Sequence, residues 1–163
     1  MSRPTGAQLL LLAQTRIGEP YQFGVLVPKD DADYRGAFDC AEFASWLVYQ
    51  IAGVLYGCAV VSPSTSPARA DAYTGYWMRD SRLCGTRITV AEAMQIPGAF
   101  LLRAPGERRG HIAVSDGLMG TVEAHSRRRG VCADPAAGRG WTTGVLVPGL
   151  DYVLAGAKPA KET

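Results

Sequence analysis

The sequence predicts an α+β fold in which helices come first and an antiparallel sheet follows. In the first third of the chain, apolar residues recur at helical spacing and the pattern stops at glycine or proline. After residue 97 the period changes to two, in short segments rich in β-branched residues. The length of 163 residues suits one domain with its own core. We therefore expect a single domain over residues 1–155 and a short tail over residues 156–163.

Two helices are expected before residue 54. Apolar residues recur at helical spacing from Leu9 to Ile17, and Pro20 follows closely. The second and longer helix follows Asp39, a good N-cap residue, its apolar face runs as far as Val54, and Gly53 and Gly57 mark its end. This helix is predicted to be buried on most sides.

The middle of the chain, residues 56–97, has a less regular pattern. Its Pro, Ser and Gly content predicts a long, partly helical insertion, and such insertions are often lids or binding loops. Tyr73, Tyr76 and Trp77 can wall a peptide groove there, or they can fill a secondary core. Strands are expected after it, in the segments AFLLR, HIAVSD, TVEAHS, TGVLVP and YVL.

The net charge and the hydropathy of the sequence limit the kinds of partner that are expected. A net charge of +2 is too small to argue for nucleic acid. Arg103, Arg108, Arg109 and residues 127–129 nevertheless concentrate positive charge, either as solvated loop arginines or as a site for an anionic polymer. No run approaches the roughly 20 apolar residues of a membrane span.

The N-terminal segment is not predicted to be a signal peptide, because its apolar stretch is short and no small-residue cleavage site follows. Localisation is therefore left open by the sequence. If the protein acts outside the cytoplasm, something other than this segment must deliver it.

Four cysteines are spread along the chain without a CxxC pair, so a zinc site is not expected, and no organic cofactor is indicated either. Cys58 and Cys84 flank the Pro/Ser/Thr-rich loop and can form a disulfide, although reduced thiols are the default.

Cys40 differs from the other cysteines because it directly follows the predicted N-cap Asp39. A helix N-terminus stabilises a thiolate, so a lowered pKa is expected for Cys40 if it is a nucleophile rather than a packing residue.

The two histidines, His111 and His125, both fall in the strand-rich half. If GLMG and its flanks turn a hairpin centred on Leu118, these two residues face each other across the ladder. Opposed Cβ atoms lie roughly 4.5 to 5.5 Å apart, close enough for one ring to orient the other. Cys40, His111 and His125 then form a nucleophile, a base and an orienting group.

Several motifs resemble one known family. GEPYQFG, FDCAEFASWLVYQIAGV, GHIAVSDG, TVEAHSRRRGV and GRGWTTGVLVPGLDY occur in the order found in the NlpC superfamily of papain-like cell-wall cysteine peptidases. The resemblance runs from about Leu9 to Leu154. It implies an NlpC-type fold, with the nucleophile at a helix N-terminus packed on a C-terminal antiparallel sheet.

The resemblance also implies roles for individual residues. Cys40 matches the nucleophile, His111 the base and His125 the orienting residue. Tyr21 matches a tyrosine that helps to hold the oxyanion together with the backbone N–H of Cys40, and Asp39 matches an acid that binds the free amino end of the stem peptide. Tyr21 can also be a packing aromatic, and Asp39 only a helix cap.

The chain departs from the family where the usual Asp-Cys-Ser-Gly is replaced by DCAE. Ala41 lacks the serine hydroxyl, and Glu42 adds a charge that we place with Asp39 and Trp77 among the candidate substrate-binding residues. Glu123, two residues before His125 on the same strand face, can also reach the site, although a solvated glutamate is the simpler interpretation.

The resemblance implies a cysteine peptidase that hydrolyses peptidoglycan stem peptides at the D-glutamyl–diamino acid bond through an acyl-enzyme. Two alternatives stay open. One is another acyl-transfer enzyme on the same scaffold, such as an amidase of the sugar–peptide bond or a lipid acyltransferase. The other is a catalytically silent wall-binding or phage-tail module. A cell-wall substrate together with the lack of a predicted signal peptide implies delivery by lysis, by a phage tail or by a secretion system.

Overall fold

The computed structural model describes residues 2–154, so the tail expected at 156–163 lies outside the described residues. The helices are α1 (Gly6–Gln14), α2 (Cys40–Ala52), α3 (Thr74–Leu83) and the short α4 (Val90–Ala93), and Pro67–Arg69 forms a 3₁₀ turn. The strands are β1 (Thr86–Ile88), β2 (Phe100–Arg103), β3 (His111–Ser115), β4 (Gly120–Ser126), β5 (Gly130–Pro135) and β6 (Thr143–Leu146). This α+β arrangement is the predicted fold class.

Helix α2 begins where it was predicted to begin and ends at the first of the two glycines expected to mark its end. Asp39 caps its N-terminus, because the side chain accepts a hydrogen bond from the backbone N–H of Glu42. Gly53 ends it in the left-handed conformation at φ 68°, where glycine carries no steric penalty. Helix α1 begins at a capping box between Thr5 and Gln8 and ends at Gln14, one turn earlier than the apolar pattern suggested.

The six strands form one sheet in the order β1-β6-β2-β3-β4-β5, and every pairing is antiparallel. Four of the predicted segments, AFLLR, HIAVSD, TVEAHS and TGVLVP, supply β2, β3, β4 and β6. The segments of β1 and β5 were not predicted as strands. The predicted strand at YVL does not form, and the neighbouring Asp151 makes only an isolated bridge to Thr5.

The hairpin between β3 and β4 is centred on Leu118, as predicted. Val114 faces Val122 and Ser115 faces Thr121 across the ladder. This register aligns the start of β3 with the end of β4, so His111 and His125 lie at the same end of the hairpin.

The main core lies between the sheet and the helices. Helix α2 packs on β3 and β4, and its Trp46 and Leu47 are fully buried with Val114 and Val122 of the sheet. The opposite face of the sheet carries a smaller cluster around Leu101. This packing brings the N-terminus of α2 beside the beginning of β3.

Two further features concern the predicted exclusions. In residues 2–154, no helix is both long and apolar enough to cross a bilayer. Cys40, Cys58, Cys84 and Cys132 are all free thiols, with Cys58 buried and Cys84 exposed, so the possible bridge between Cys58 and Cys84 is not formed.

Candidate active site

The N-terminus of α2 opens into a cleft of about 680 Å³. Residues from several parts of the chain line it: the segment before α2, the start of α2, the segment that leads into α3 with the first turn of α3, the end of β2 with the loop to β3, the first residue of β3, and the end of β4. These include Tyr21, Phe23, Asp39, Cys40, Ala41, Asp71, Tyr73, Thr74, Tyr76, Arg103, Arg108, Arg109, His111 and His125. The cleft therefore brings together five of the seven predicted site residues: Tyr21, Asp39, Cys40, His111 and His125.

Cys40 is the first residue of α2 and its thiol is half-buried in the cleft. The backbone N–H groups of Ile112, Ala41 and Cys40 itself act on the sulfur and lower its pKa, but they do not offset the loss of solvent. Burial, followed by the negative charge of Asp39, raises the pKa of the Cys40 thiol to about 12. The expected lowering of this pKa is thus wrong. The resting thiol is therefore neutral, so a nucleophilic role would require a base to accept its proton.

His111 begins β3 and lines the same cleft as Cys40. Its Nε2 lies 2.9 Å from Oε1 of Glu123, which is fully buried. An ionised carboxylate only accepts hydrogen bonds, so this contact places a proton on Nε2 and leaves Nδ1 as the basic nitrogen. The pair fixes both the tautomer and the orientation of the ring.

Glu123 is held in its turn by other side chains. The guanidinium of Arg139 binds both carboxylate oxygens, with Nη1 2.8 Å from Oε2, and the hydroxyl of Thr121 donates to Oε2. Burial raises the pKa of Glu123, but the hydrogen bonds from Arg139, His111 and Thr121 have a larger effect in the opposite direction. The pKa of Glu123 is therefore lowered to about 2. Glu123 is therefore an anion throughout the neutral range, and the interpretation of it as a solvated glutamate is wrong.

The structure also corrects His125 as the group that orients His111. The two rings are 6.2 Å apart between centroids, edge to face, and Nδ1 of His125 lies 3.0 Å from the Ser126 hydroxyl. His125 sits where the register between β4 and β5 shifts, and such a bulge turns a side chain away from its regular direction. Glu123, one diagonal step along the strand, reaches the His111 nitrogen instead.

Trp141 completes the surroundings of the histidine. Its ring stacks on His111 with centroids 5.8 Å apart and planes 26° from parallel, while the Arg139 guanidinium lies 4.8 Å from the Trp141 ring. Neither Arg139 nor Trp141 was singled out as a site residue. The signal available was the segment GRGW, which contains both and lies within the motifs of the resemblance.

Tyr21 lines the cleft close to Cys40. Burial raises the pKa of Tyr21 to about 12, and the charges of Cys40 and Asp39 act in the same direction. The phenol is therefore a protonated hydrogen-bond donor at neutral pH, as an oxyanion-binding tyrosine must be.

Asp39 faces the cleft but is also committed to the backbone. One carboxylate oxygen accepts from the N–H of Glu42 at 2.8 Å and the other from the N–H of Gly24 at 3.2 Å. Burial raises the pKa of Asp39 above its ordinary value, and these two hydrogen bonds offset only part of that rise. Each oxygen keeps a second acceptor position, so the helix cap and a contact to a substrate amine are compatible.

Glu42 is not in the cleft, and its assignment to the substrate site is wrong. It is fully buried and forms an ion pair with the equally buried Lys29. Its carboxylate also accepts hydrogen bonds from the backbone N–H of Val27 at 3.1 Å and of Ala72 at 2.7 Å. Glu42 lies in the first turn of α2, as Cys40 does, but its side chain points inward and ties two loops to the helix.

Trp77 is likewise a core residue rather than part of a lid. It is fully buried between Tyr56 and Phe100, and its indole N–H donates to the Ser45 hydroxyl at 3.0 Å. The residues of this region that do line the cleft are Asp71 to Thr74 and Tyr76. The aromatic wall therefore consists of Tyr73 and Tyr76, whose rings meet edge to face with centroids 5.5 Å apart.

One group of side chains has the geometry of metal ligands. Ligand atoms of Glu123, His125 and Asp134 lie within 4.8 Å of one another. The guanidiniums of Arg129 and Arg139 already bind these carboxylates, with Arg129 Nη1 2.9 Å from Asp134 Oδ1. Two fixed positive charges oppose a cation at this position, so the cluster fits an ion-pair network rather than a metal centre.

Comparison of the sequence with protein-family models gives no match, and comparison with curated proteins gives none either. Solved structures do resemble the fold. The NlpC/p60 domain of the peptidoglycan hydrolase SagA is 21% identical with a TM-score of 0.58, over 88% of this chain and 99% of that one. The peptidoglycan hydrolase RipB from Mycobacterium tuberculosis is 18% identical with a TM-score of 0.58, over 90% and 66%.

A third example is the P60 domain of an antigen from M. avium subspecies paratuberculosis, which is 20% identical with a TM-score of 0.55, over 86% of this chain and 94% of that one. These identities are low, so the likeness establishes the fold. The chain has the α+β fold of NlpC/p60 domains, and the resemblance to the NlpC superfamily predicted from its motifs is confirmed at that level.

Proposed function

We propose that this protein is a peptidoglycan hydrolase, and that it cleaves stem peptides as a cysteine peptidase. The observation that carries the proposal is that His111, held by the buried anion Glu123, lines the same cleft as the thiol at the start of α2. A nucleophile, a base and a fixed orienting group are the requirements of acyl transfer. The peptidoglycan substrate is supported by the fold shared with SagA and RipB.

The reaction begins with a neutral thiol. As the sulfur of Cys40 attacks the carbonyl carbon, Nδ1 of His111 accepts the thiol proton, and the anion of Glu123 stabilises the imidazolium that forms. Proton transfer and attack are coupled because burial raises the pKa of Cys40 to about 12.

The tetrahedral intermediate carries its charge on the former carbonyl oxygen. The backbone N–H of Cys40 and the phenol of Tyr21 are the donors we assign to it. The imidazolium of His111 then protonates the departing amine, and the C–N bond breaks. Water, activated by the same histidine, hydrolyses the acyl-enzyme and regenerates the thiol.

The bond we assign is the one between D-glutamate, linked through its side chain, and the diamino acid. Asp39 is the residue we assign to the free amino end of the peptide. A carboxylate that binds an ammonium group favours stem peptides already released from the sugar, because attachment to the sugar removes that charge.

Digestion followed by mass spectrometry tests the proposal. The protein is incubated with purified peptidoglycan and with the free tripeptide L-alanyl-γ-D-glutamyl-diamino acid. We expect L-alanyl-D-glutamate and the free diamino acid from the tripeptide, with slower cleavage of intact wall. Release of whole stem peptides from the wall would identify an amidase instead, and no product from either substrate would leave a silent wall-binding module.

A further inference from the structure

The end of β2 and the loop from β2 to β3 place three guanidinium groups in the cleft that the proposed reaction does not use. Arg103 is the last residue of β2, and Arg108 and Arg109 lie in the loop that follows. Within residues 2–154, none of the three forms an ion pair with a carboxylate, whereas Arg129 and Arg139 do. The cleft thus contains three guanidinium groups without an ion-pair partner in the described part of the protein, although Asp39, Asp71 and Glu107 also line it.

Arg103 is the best placed of the three. It is the register partner of His111 on the neighbouring strand, so the two residues start from adjacent backbone positions. Its Nε donates to the carbonyl of Arg109 at 2.9 Å and its Nη1 to the carbonyl of Arg139 at 2.8 Å. These bonds fix the guanidinium, while Nη2 has no hydrogen-bond acceptor among the described residues. A guanidinium held in this way pays little conformational entropy when it binds an anion.

The other two arginines extend the charge toward the rim. Arg109 is exposed and lies over the ring of Phe23, with 4.6 Å between its guanidinium carbon and the ring centroid. Arg108 is exposed on the same loop. Burial and the like charges of Arg139 and Arg108 lower the pKa of Arg103, so a bound anion would relieve repulsion within this group.

The position of the three arginines relative to the proposed reaction indicates which group of the substrate they bind. His111 delivers its proton to the nitrogen of the leaving diamino acid, so that nitrogen lies next to His111 during the reaction. The α-carboxylate of an amino acid is two bonds from its nitrogen. In the substrate this group therefore lies on the side of the scissile bond nearest to His111 and its strand neighbour Arg103.

We infer that Arg103, with Arg109 and Arg108 at the rim, forms a subsite for the free α-carboxylate of the leaving residue. The inference rests on the proposed function and narrows its substrate to short peptides that end at the diamino acid. Asp39 and this arginine subsite would then bind opposite charges at the two ends of a tripeptide. A longer stem, in which that carboxylate is part of a peptide bond, loses the ion pair and is a poorer substrate.

The test compares three synthetic peptides: the free tripeptide, its C-terminal α-amide and the tetrapeptide extended by D-alanine. A charge-assisted hydrogen bond to the carboxylate corresponds to about a 10- to 100-fold preference in kcat/KM for the free tripeptide over the α-amide. The Arg103→Gln variant should reduce that ratio toward unity. Arg109→Gln, at an exposed position, should reduce it in part and guards against misfolding of the first variant.

Arg128→Gln is the matched control, since Arg128 is an exposed loop arginine that does not line the cleft. It should keep the full preference. Equal rates of the parent enzyme on the free and amidated tripeptides would overturn the inference, and so would a preference that survives in both cleft variants.

Binding to the inactive Cys40→Ala protein separates this inference from the proposed function. Calorimetry should show tighter binding of the free tripeptide than of its α-amide, whether or not the parent enzyme cleaves either peptide. Equal affinity, or no binding of the free tripeptide, would count against the carboxylate subsite. Absence of cleavage with the expected difference in affinity would overturn only the proposed reaction.

Discussion

Nε2 of His111 lies 2.9 Å from Oε1 of Glu123, a carboxylate with no exposed surface. This contact crosses from β3 to β4 one diagonal step from the directly opposed pair. It makes Glu123, rather than His125, the group that orients the proposed base.

The activities of two variants should distinguish these roles. Glu123→Gln removes the negative charge that stabilises the imidazolium, so kcat/KM on the tripeptide should fall about 10²-fold or more. His125→Asn leaves the contact between His111 and Glu123 intact and should retain activity within about threefold of the parent, since no proton transfer depends on it. A larger loss for His125→Asn than for Glu123→Gln would restore His125 as the orienting residue.

Alkylation of Cys40 should depend on His111. Because burial raises the pKa of this thiol to about 12, the thiolate is scarce at neutral pH unless a base accepts the proton. In the His111→Ala variant, modification of Cys40 by iodoacetamide at pH 7 should fall about tenfold or more and should recover only as the pH rises toward that pKa. Peptide mapping after brief labelling measures the rate.

Exposed Cys84 is the internal reference for this experiment, since its labelling should be unchanged by the substitution. Equal slowing of both cysteines would indicate a general effect on the fold. Unchanged labelling of Cys40 would show that His111 does not act on the thiol.

Lys29 and Glu42 form a buried ion pair beside the cleft, and we expect loss of either partner alone to destabilise the fold. Lys29→Met or Glu42→Gln leaves its partner without a counter-charge in a site that is fully buried, which costs about 3–5 kcal/mol in the free energy of unfolding. Urea denaturation of the single variants and the double variant measures the coupling. The double variant should lose less stability than the two single losses added together, and simple additivity would show that the two groups do not interact.

The aromatics of residues 56–97 should separate into core and cleft. Trp77→Ala removes a fully buried indole and should lower the free energy of unfolding by about 3–5 kcal/mol. Tyr73→Ala alters a side chain that is 48% exposed and lines the cleft, so it should raise KM with little change in stability. Thermal denaturation and steady-state kinetics of both variants check this division, which the reverse pattern would refute.

The parts of the fold that the sequence predicted depend on local signals. Asp39 and Gly53 mark the ends of α2 by their own backbone chemistry, and the alternation in β3 and β4 fixes which side chains share a face. The hairpin centre at Leu118 followed from the turn expected at GLMG between the two strands. Strand β5 was missed because only its first two residues are buried, so it lacks the apolar pattern of a core strand.

The errors in the site have a different origin. Glu123 is buried because Arg139, sixteen residues away along the chain, reaches its carboxylate. Glu42, in the first turn of α2, is buried because Lys29, from a separate loop, folds over that turn and pairs with its carboxylate. Neither hydrophobic periodicity nor a short motif identifies a charged partner that is distant in the sequence. Glu123 was therefore interpreted as solvated and Glu42 as substrate-binding. Only the three-dimensional pairing of opposite charges identifies their place.

The central claim is that Cys40 is the nucleophile of a stem-peptide hydrolase, and turnover of the free tripeptide by the parent protein and by Cys40→Ala tests it most directly. Substitution by alanine removes only the sulfur, from a side chain that is half-buried in the cleft, so the variant should fold and should keep its affinity for the tripeptide. We expect the parent to release the diamino acid and the variant to lose at least about 10³-fold in kcat. Release of the diamino acid at the parent rate by Cys40→Ala would contradict the account.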